Sequence, residues 1–325
     1  MTRFNGLMGT FLLLILVSGC VAPKINLFPD PADPLKEFTL QGTQKGKVLV
    51  IPVRGIIADN SKEGVFRFRP SMVQEVVSQL RLAEGDAEIK AVLLKIDSPG
   101  GSTTASDILY HEISNFKERT GVKVVVALMN LATSGGYYIS LPADFIMAHP
   151  TTITGSIGVI FLRPNVTGLM GKIGVDVEVN KSGENKDMGS PFRQSTQAEK
   201  EILENLTAEL GKRFLSLVAA HRNPDPSTMK KISSARLYLA GEALQVGLVD
   251  NIGYLSDALL QAKKLAGLPE DAKVVVYRRT AYPNDNLYNP TNMQNELSVG
   301  SLGLPDVQPF LLGGFYYLWL PAAGM

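Results

Sequence analysis

From Lys47 onward the chain alternates fully apolar runs with amphipathic stretches. "KVLVIPV", "KAVLLKI" and "VKVVVAL" are separated by segments whose apolar residues recur at helical spacing. Runs apolar at every position suit strands buried on both faces, and joining such strands through helices gives a largely parallel sheet with flanking helices. The spacing predicts helices over 71–83, with a stripe of Met72, Val73, Val76, Val77 and Leu80, and over 105–119, with Ile108, Leu109, Ile113 and Phe116. "FIMA" at 145–148 and "VDVEV" at 175–179 read as further strands. The longest helix is expected over 196–220, with Ile202, Leu203, Leu206, Leu210, Phe214, Leu217 and Val218 facing inward and Pro224 and Pro226 ending it. A final helix at 255–266 and "AKVVVYRR" complete an α/β body spanning 47–280.

Both ends differ from this body. Residues 1–19 begin with a basic stretch, run apolar from Leu7 to Val17 and end in small residues, as a secretory signal does. Val17-Ser18-Gly19-Cys20 resembles a bacterial lipoprotein box, which implies a lipidated Cys20 as the first mature residue and a membrane-anchored envelope protein. Val21 lacks the aspartate associated with inner-membrane retention, so the expected site is the outer membrane. Residues 20–46, rich in Pro, Asp, Lys and Gly, read as a tether, and 281–325 as a linker and apolar tail. The tail "PFLLGGFYYLWLPAAGM" is too short for a confident span and is expected to pack on a neighbouring subunit or the membrane surface, with packing on its own domain as the alternative.

Composition narrows the chemistry. The chain has 325 residues and 45% apolar content, enough to fill a substantial core. Its 32 Lys plus Arg against 31 Asp plus Glu leave a net charge of +1 and no electrostatic case for nucleic-acid binding. A single cysteine excludes an intrachain disulfide and any thiolate metal cluster.

Three glycine-containing turns follow apolar strands: "DSPGG" at 97–101, "ATSGGYY" at 132–138 and "TGSIGV" at 154–159. A parallel sheet gathers ligands at the carboxyl ends of its strands, where these turns could converge. Ser134 reads as either a helix N-cap or a nucleophile, and Gly135 and Gly136 suggest close approach of another backbone or a substrate. Functionally read, the N–H groups of Gly101 and Gly135 would be paired oxyanion donors. A base for Ser134 could be His149, with Asp144 or Asp97 orienting it, or a lysine from the polar loop, Lys181 or Lys186. His111 and His221 fall on predicted helices, away from the turns.

Together, "DSPGG", "SGGYYIS", "PTTITGSIGVI" and "KSGENKDMGSPFR" resemble the bacterial signal peptide peptidase (SppA) family of serine proteases, over roughly 47–279. The resemblance implies a ClpP/crotonase-like fold and a serine–lysine dyad. Ser134 corresponds to the nucleophile, Lys186 to the general base with Lys181 as rival, Ser156 to the hydroxyl orienting the lysine, and Gly101 to an oxyanion donor. It implies no metal or cofactor, peptide substrates with apolar side chains including signal peptide remnants, and assembly into homo-oligomeric rings. Asn185 and His149 depart from the family pattern. Rival readings are an acyl-CoA enzyme of the crotonase type and a non-catalytic peptide-binding or assembly protein of the same fold.

Overall fold

The computed structural model describes residues 33–60, 62–64, 67–289 and 314–323. In chain order its strands are β1 (Lys36–Gln41), β2 (Gln44–Arg54), β3 (Lys62–Gly64), β4 (Arg67–Arg69), β5 (Ile89–Ser98), β6 (Gly100–Ser102) and β7 (Lys123–Thr133). There follow β8 (Phe145–Ala148), β9 (Ile153–Gly155), β10 (Ile160–Leu162), β11 (Leu237–Leu239), β12 (Asn251–Ile252), β13 (Ala272–Arg278) and β14 (Gly314–Leu318). The helices are α1 (Met72–Glu84), α2 (Thr103–Thr120), α3 (Gly135–Tyr138), α4 (Thr167–Ile173), α5 (Gln197–Arg222), α6 (Pro226–Ile232), α7 (Ala240–Gln245) and α8 (Leu255–Leu265).

The main sheet has the order β1-β13-β2-β5-β7-β8-β12, with β9 branching from β7 and β11 pairing β9. From β13 to β12 every neighbouring pair is parallel, while β1 and β11 are antiparallel to their partners. The apolar runs explain why this sheet is internal. Alternate residues Leu49, Ile51 and Val53 of β2 face a core shared with Val76 and Leu80 of α1 and Leu109, Ile113 and Phe116 of α2. Their neighbours Val48 and Val50 face a second core built with Leu255, Ala258, Leu259 and Ala262 of α8. Local signals end the helices: Ser71 and Gln74 form a reciprocal capping box on α1, Thr196 and Glu199 do so on α5, and Gly121 closes α2 with φ 68°.

Four expectations change. The tether is shorter than 20–46, because β1 and the start of β2 lie inside it; Phe38 and Leu40 alternate with polar residues and pack on the α8-side core. "VDVEV" pairs with no strand among the described residues, and Val175, Val177 and Val179 are exposed. On α5, Phe214 and Val218 are buried in the core shared with α1 and α2, but Ile202 and Leu206, in the amino-terminal half of the helix, are exposed. The tail packs on its own domain: β14 lies between β10 and β6 in a separate three-stranded antiparallel sheet. Residues 1–19, Cys20 and the linker over 290–313 lie outside the described residues.

Candidate active site

Parallel strands β7 and β9 run in register to their ends, with Leu131 opposite Ile153 and Thr133 opposite Gly155. One residue later both chains turn sharply. Ser134 has φ 52° and ψ −116°, Ser156 has φ 51°, and the Ser134 N–H donates to the Gly155 carbonyl at 2.7 Å. A non-glycine residue held at positive φ costs of order 1–3 kcal/mol and persists only where the surroundings impose it. Here the short helix α3 imposes it. Tyr137 and Tyr138 are fully buried, with the Tyr137 hydroxyl donating to Leu248 O at 2.7 Å and that of Tyr138 to Asp107 Oδ1 at 2.6 Å. Ser134 occupies the N-cap position of α3, yet its side chain makes no capping hydrogen bond. Capping therefore does not account for the serine.

The two glycine turns meet backbone to backbone. A Cβ on Gly101 would lie 1.9 Å from the Ile57 carbonyl oxygen, and one on Gly135 would lie 3.1 Å from the Gly101 nitrogen and 2.4 Å from Ser106 Oγ. Only glycine fits either position. Ile57 N–H donates to Gly100 O at 2.8 Å and Ser102 N–H to Ile57 O at 3.0 Å, so the N–H and C=O of Gly101 point to the opposite edge of β6. Gly100, with φ 100°, makes the turn, and the Ser98 hydroxyl steadies it by accepting from Gly100 N–H at 3.1 Å and donating to Gly55 O at 2.6 Å.

The structure thus gathers Gly101, Ser134, Gly135 and Ser156 at the ends of adjacent strands. It leaves Lys186 exposed, with no hydrogen bond to either serine among the described residues. Lys181 is engaged elsewhere: its ammonium donates to Asp187 Oδ1 and to Glu184 O, both at 2.8 Å. Asp187 also accepts from Arg193, and these two cationic partners hold its carboxyl well below the usual range. His149 is hydrogen-bonded to Thr151 Oγ1 at 2.9 Å and lies edge-on to Tyr254. Asp144 accepts from Val124 N–H and pairs with Lys117, and Asp97 accepts from Leu131 N–H. All three groups of the histidine-based alternative are therefore occupied in holding strands and loops.

Sequence reasoning missed the tail at this site. Tyr317 of β14 is opposite Gly101, and the Trp319 N–H donates to Pro99 O at 3.0 Å.

The model of Peptidase family S49 matches residues 117–269, and that of the Clp protease matches 67–152. A signal peptide peptidase SppA of Enterococcus faecium is 37% identical over 245 residues, covering 75% of this chain and 71% of that protein. The chain belongs to the SppA family, peptidase family S49. It is a serine peptidase with the α/β ClpP-like fold, and the acyl-CoA alternative falls away. This S49 peptidase is also 36% identical to a protease of Methanocaldococcus jannaschii over 218 residues, 67% of this chain and 69% of that protein. Its identity to the chloroplastic serine protease SPPA of Arabidopsis thaliana is 30% over 237 residues, 73% of this chain but 32% of the plant protein. Among the described residues of the peptidase, no helix is long and apolar enough to cross a membrane.

Proposed function

We propose that the protein is an envelope serine endopeptidase working through a Ser134–Lys186 dyad. The observation that carries this reading is the strained Ser134, its hydroxyl not used for capping, beside two glycine N–H groups and next to Ser156. Neutral Lys186 takes the proton of Ser134 as Oγ attacks a peptide carbonyl, and the N–H groups of Gly101 and Gly135 hold the oxyanion. The lysine then protonates the leaving amine as the C–N bond breaks, and water resolves the acyl-enzyme. Ser156 orients the amine.

Lys186 is preferred to Lys181 because the latter's ammonium is engaged by Asp187. Catalysis in this reading requires the loop carrying Lys186 to close over the serines. Just before that loop, Leu169, Ile173, Val175, Val177 and Val179 are exposed, a face that a second copy would bury and that supports self-assembly into a ring. A lipid on Cys20 would fix the enzyme to the periplasmic face of the outer membrane, where extended apolar peptides, including signal peptide remnants, are its substrates.

The test is mass spectrometry of peptides incubated with the membrane-extracted protein and with its Ser134→Ala variant. Cleavage by wild type alone supports the reading; identical products from both, or cleavage by neither, overturn it.

A further inference from the structure

The loop carrying Lys186 is braced from within. Lys186 N–H donates to Gly183 O and Met188 N–H to Asn185 O, both at 3.1 Å, and Ser190 N–H donates to Asp187 O at 3.0 Å. These bonds fold 183–190 into successive turns. On the carboxyl side the loop is tied to the body: Ser190 O accepts from Arg163 Nη1 at 2.8 Å and Pro191 O from Val166 N–H at 2.9 Å. On the amino side, Val175, Val177 and Val179 are exposed and pair with no strand among the described residues.

Between the turns and the body stands Asp187, the residue after Lys186. Arg193 grips it with two parallel bonds, Nε to Oδ2 and Nη2 to Oδ1, both at 2.7 Å. The same guanidinium donates from Nη1 to Glu199 Oε2 at 2.9 Å and from Nη2 to Glu199 Oε1. Glu199 is buried and accepts the Thr196 N–H at 2.9 Å in the capping box of α5. One planar fork thus joins the loop to the first turn of a 26-residue helix. A surface ion pair contributes little by itself, but the second carboxylate here is buried, and loss of its cation would strand a charge. The Lys181 ammonium adds a single bond to Asp187 at 2.8 Å, outside the fork.

A general base must be held within a fraction of an ångström of the proton it takes, and an exposed loop lysine has no packing to hold it. We propose that Asp187 is a positioning residue of the peptidase: gripped by Arg193 against Glu199, it fixes the backbone from which Lys186 reaches the serine, so that the loop meets Ser134 as one rigid piece. The inference rests on the Ser134–Lys186 reading. Asp187 takes no proton and touches no substrate; it acts through Lys186 alone.

The test measures kcat and KM of the full chain on one peptide that wild type cleaves. Asp187→Asn keeps the shape of the side chain but replaces one acceptor oxygen with a donor and removes the charge. Arg193→Lys keeps a cation for Glu199 but cannot fork across two carboxylates. In whichever variant a melting curve shows to be folded, kcat should fall about tenfold or more with KM within about twofold of wild type, the pattern of an interaction made only in the transition state.

Introduced into Lys186→Ala, the same substitution should cost nothing further, since no amine remains for it to position. Unchanged kcat, a loss confined to KM, a further tenfold loss in the Lys186→Ala background, or failure of both variants to fold each overturns the positioning role and leaves the dyad standing. Full activity of Lys186→Ala overturns the dyad itself, and this inference with it.

Discussion

Ser134 and Ser156 leave neighbouring parallel strands one residue beyond the paired Thr133 and Gly155, and both leave with positive φ. Two serines in a conformation that disfavours a Cβ, side by side, are poorly explained by packing. The strain places two hydroxyls at one end of the sheet, and it has consequences for stability as well as chemistry.

Ser134→Gly relieves the backbone at φ 52° while deleting the hydroxyl. The variant should melt no lower than wild type, since relief of roughly 1–3 kcal/mol of strain opposes the greater chain entropy of glycine. It should also lose all labelling by a fluorophosphonate. A clearly lower melting temperature would show that the conformation is unstrained.

Lys186→Ala should reduce peptide hydrolysis by at least about a hundredfold, the usual contribution of a general base, and Lys181→Ala should retain most activity. Initial rates on one chromogenic peptide decide the matter. The opposite ranking makes Lys181 the base.

Gly101→Ala drives a Cβ to 1.9 Å from the Ile57 carbonyl, a backbone atom fixed in its bridge to β6. Destabilisation of about 3 kcal/mol or more is expected. Gly85→Ala is the control, because at Gly85 the nearest atom is 3.5 Å away and φ is −79°. Urea denaturation of the two should differ accordingly, and equal midpoints would mean that the turn has room.

Acid stability depends on Glu199, which is 2% exposed and accepts from Arg193; that hydrogen bond lowers its pKa from 4.5 to about 2. A depressed carboxyl pKa contributes stability that is complete above the unfolded value of 4.5 and is lost as pH falls through the folded value of about 2. Melting temperature should therefore be steady above pH 5 with respect to this group and decline below it. Arg193→Met should flatten that decline, and an unaltered acid limb would remove the pair from the account.

The sequence made the sheet visible where burial is two-sided. Leu49 and Val50 face opposite cores, so no polar residue interrupts "KVLVIPV". The same logic misled at "VDVEV", whose alternation suits a strand but which finds no adjacent edge among the described residues. β1 was hidden because Phe38 and Leu40 sit within a proline- and glycine-rich stretch and gain their partners only from β13, more than two hundred residues away. The sign of φ at Ser134 has no local signature beyond the two following glycines. Tyr317 could not be foreseen at the site for a related reason: its pocket is assembled from α3 and α5, and nothing near residue 317 encodes them. Lys186 was set apart from Lys181 as the expected base only by family resemblance, since an exposed loop lysine carries no pattern of its own.

The antiparallel edge strand β1 has a mechanical consequence. The chain from residue 35 enters β1, wraps the start of β13 at Gly42 and only then enters β2. Tension arriving from the amino-terminal side would load the β1–β13 hydrogen bonds, already weakened by the register shift between Thr39 and Gln41, before it reached β5 or β7. β1 would act as a sacrificial fastener, peeling away while the strands that end at Gly101 and Ser134 keep their shape.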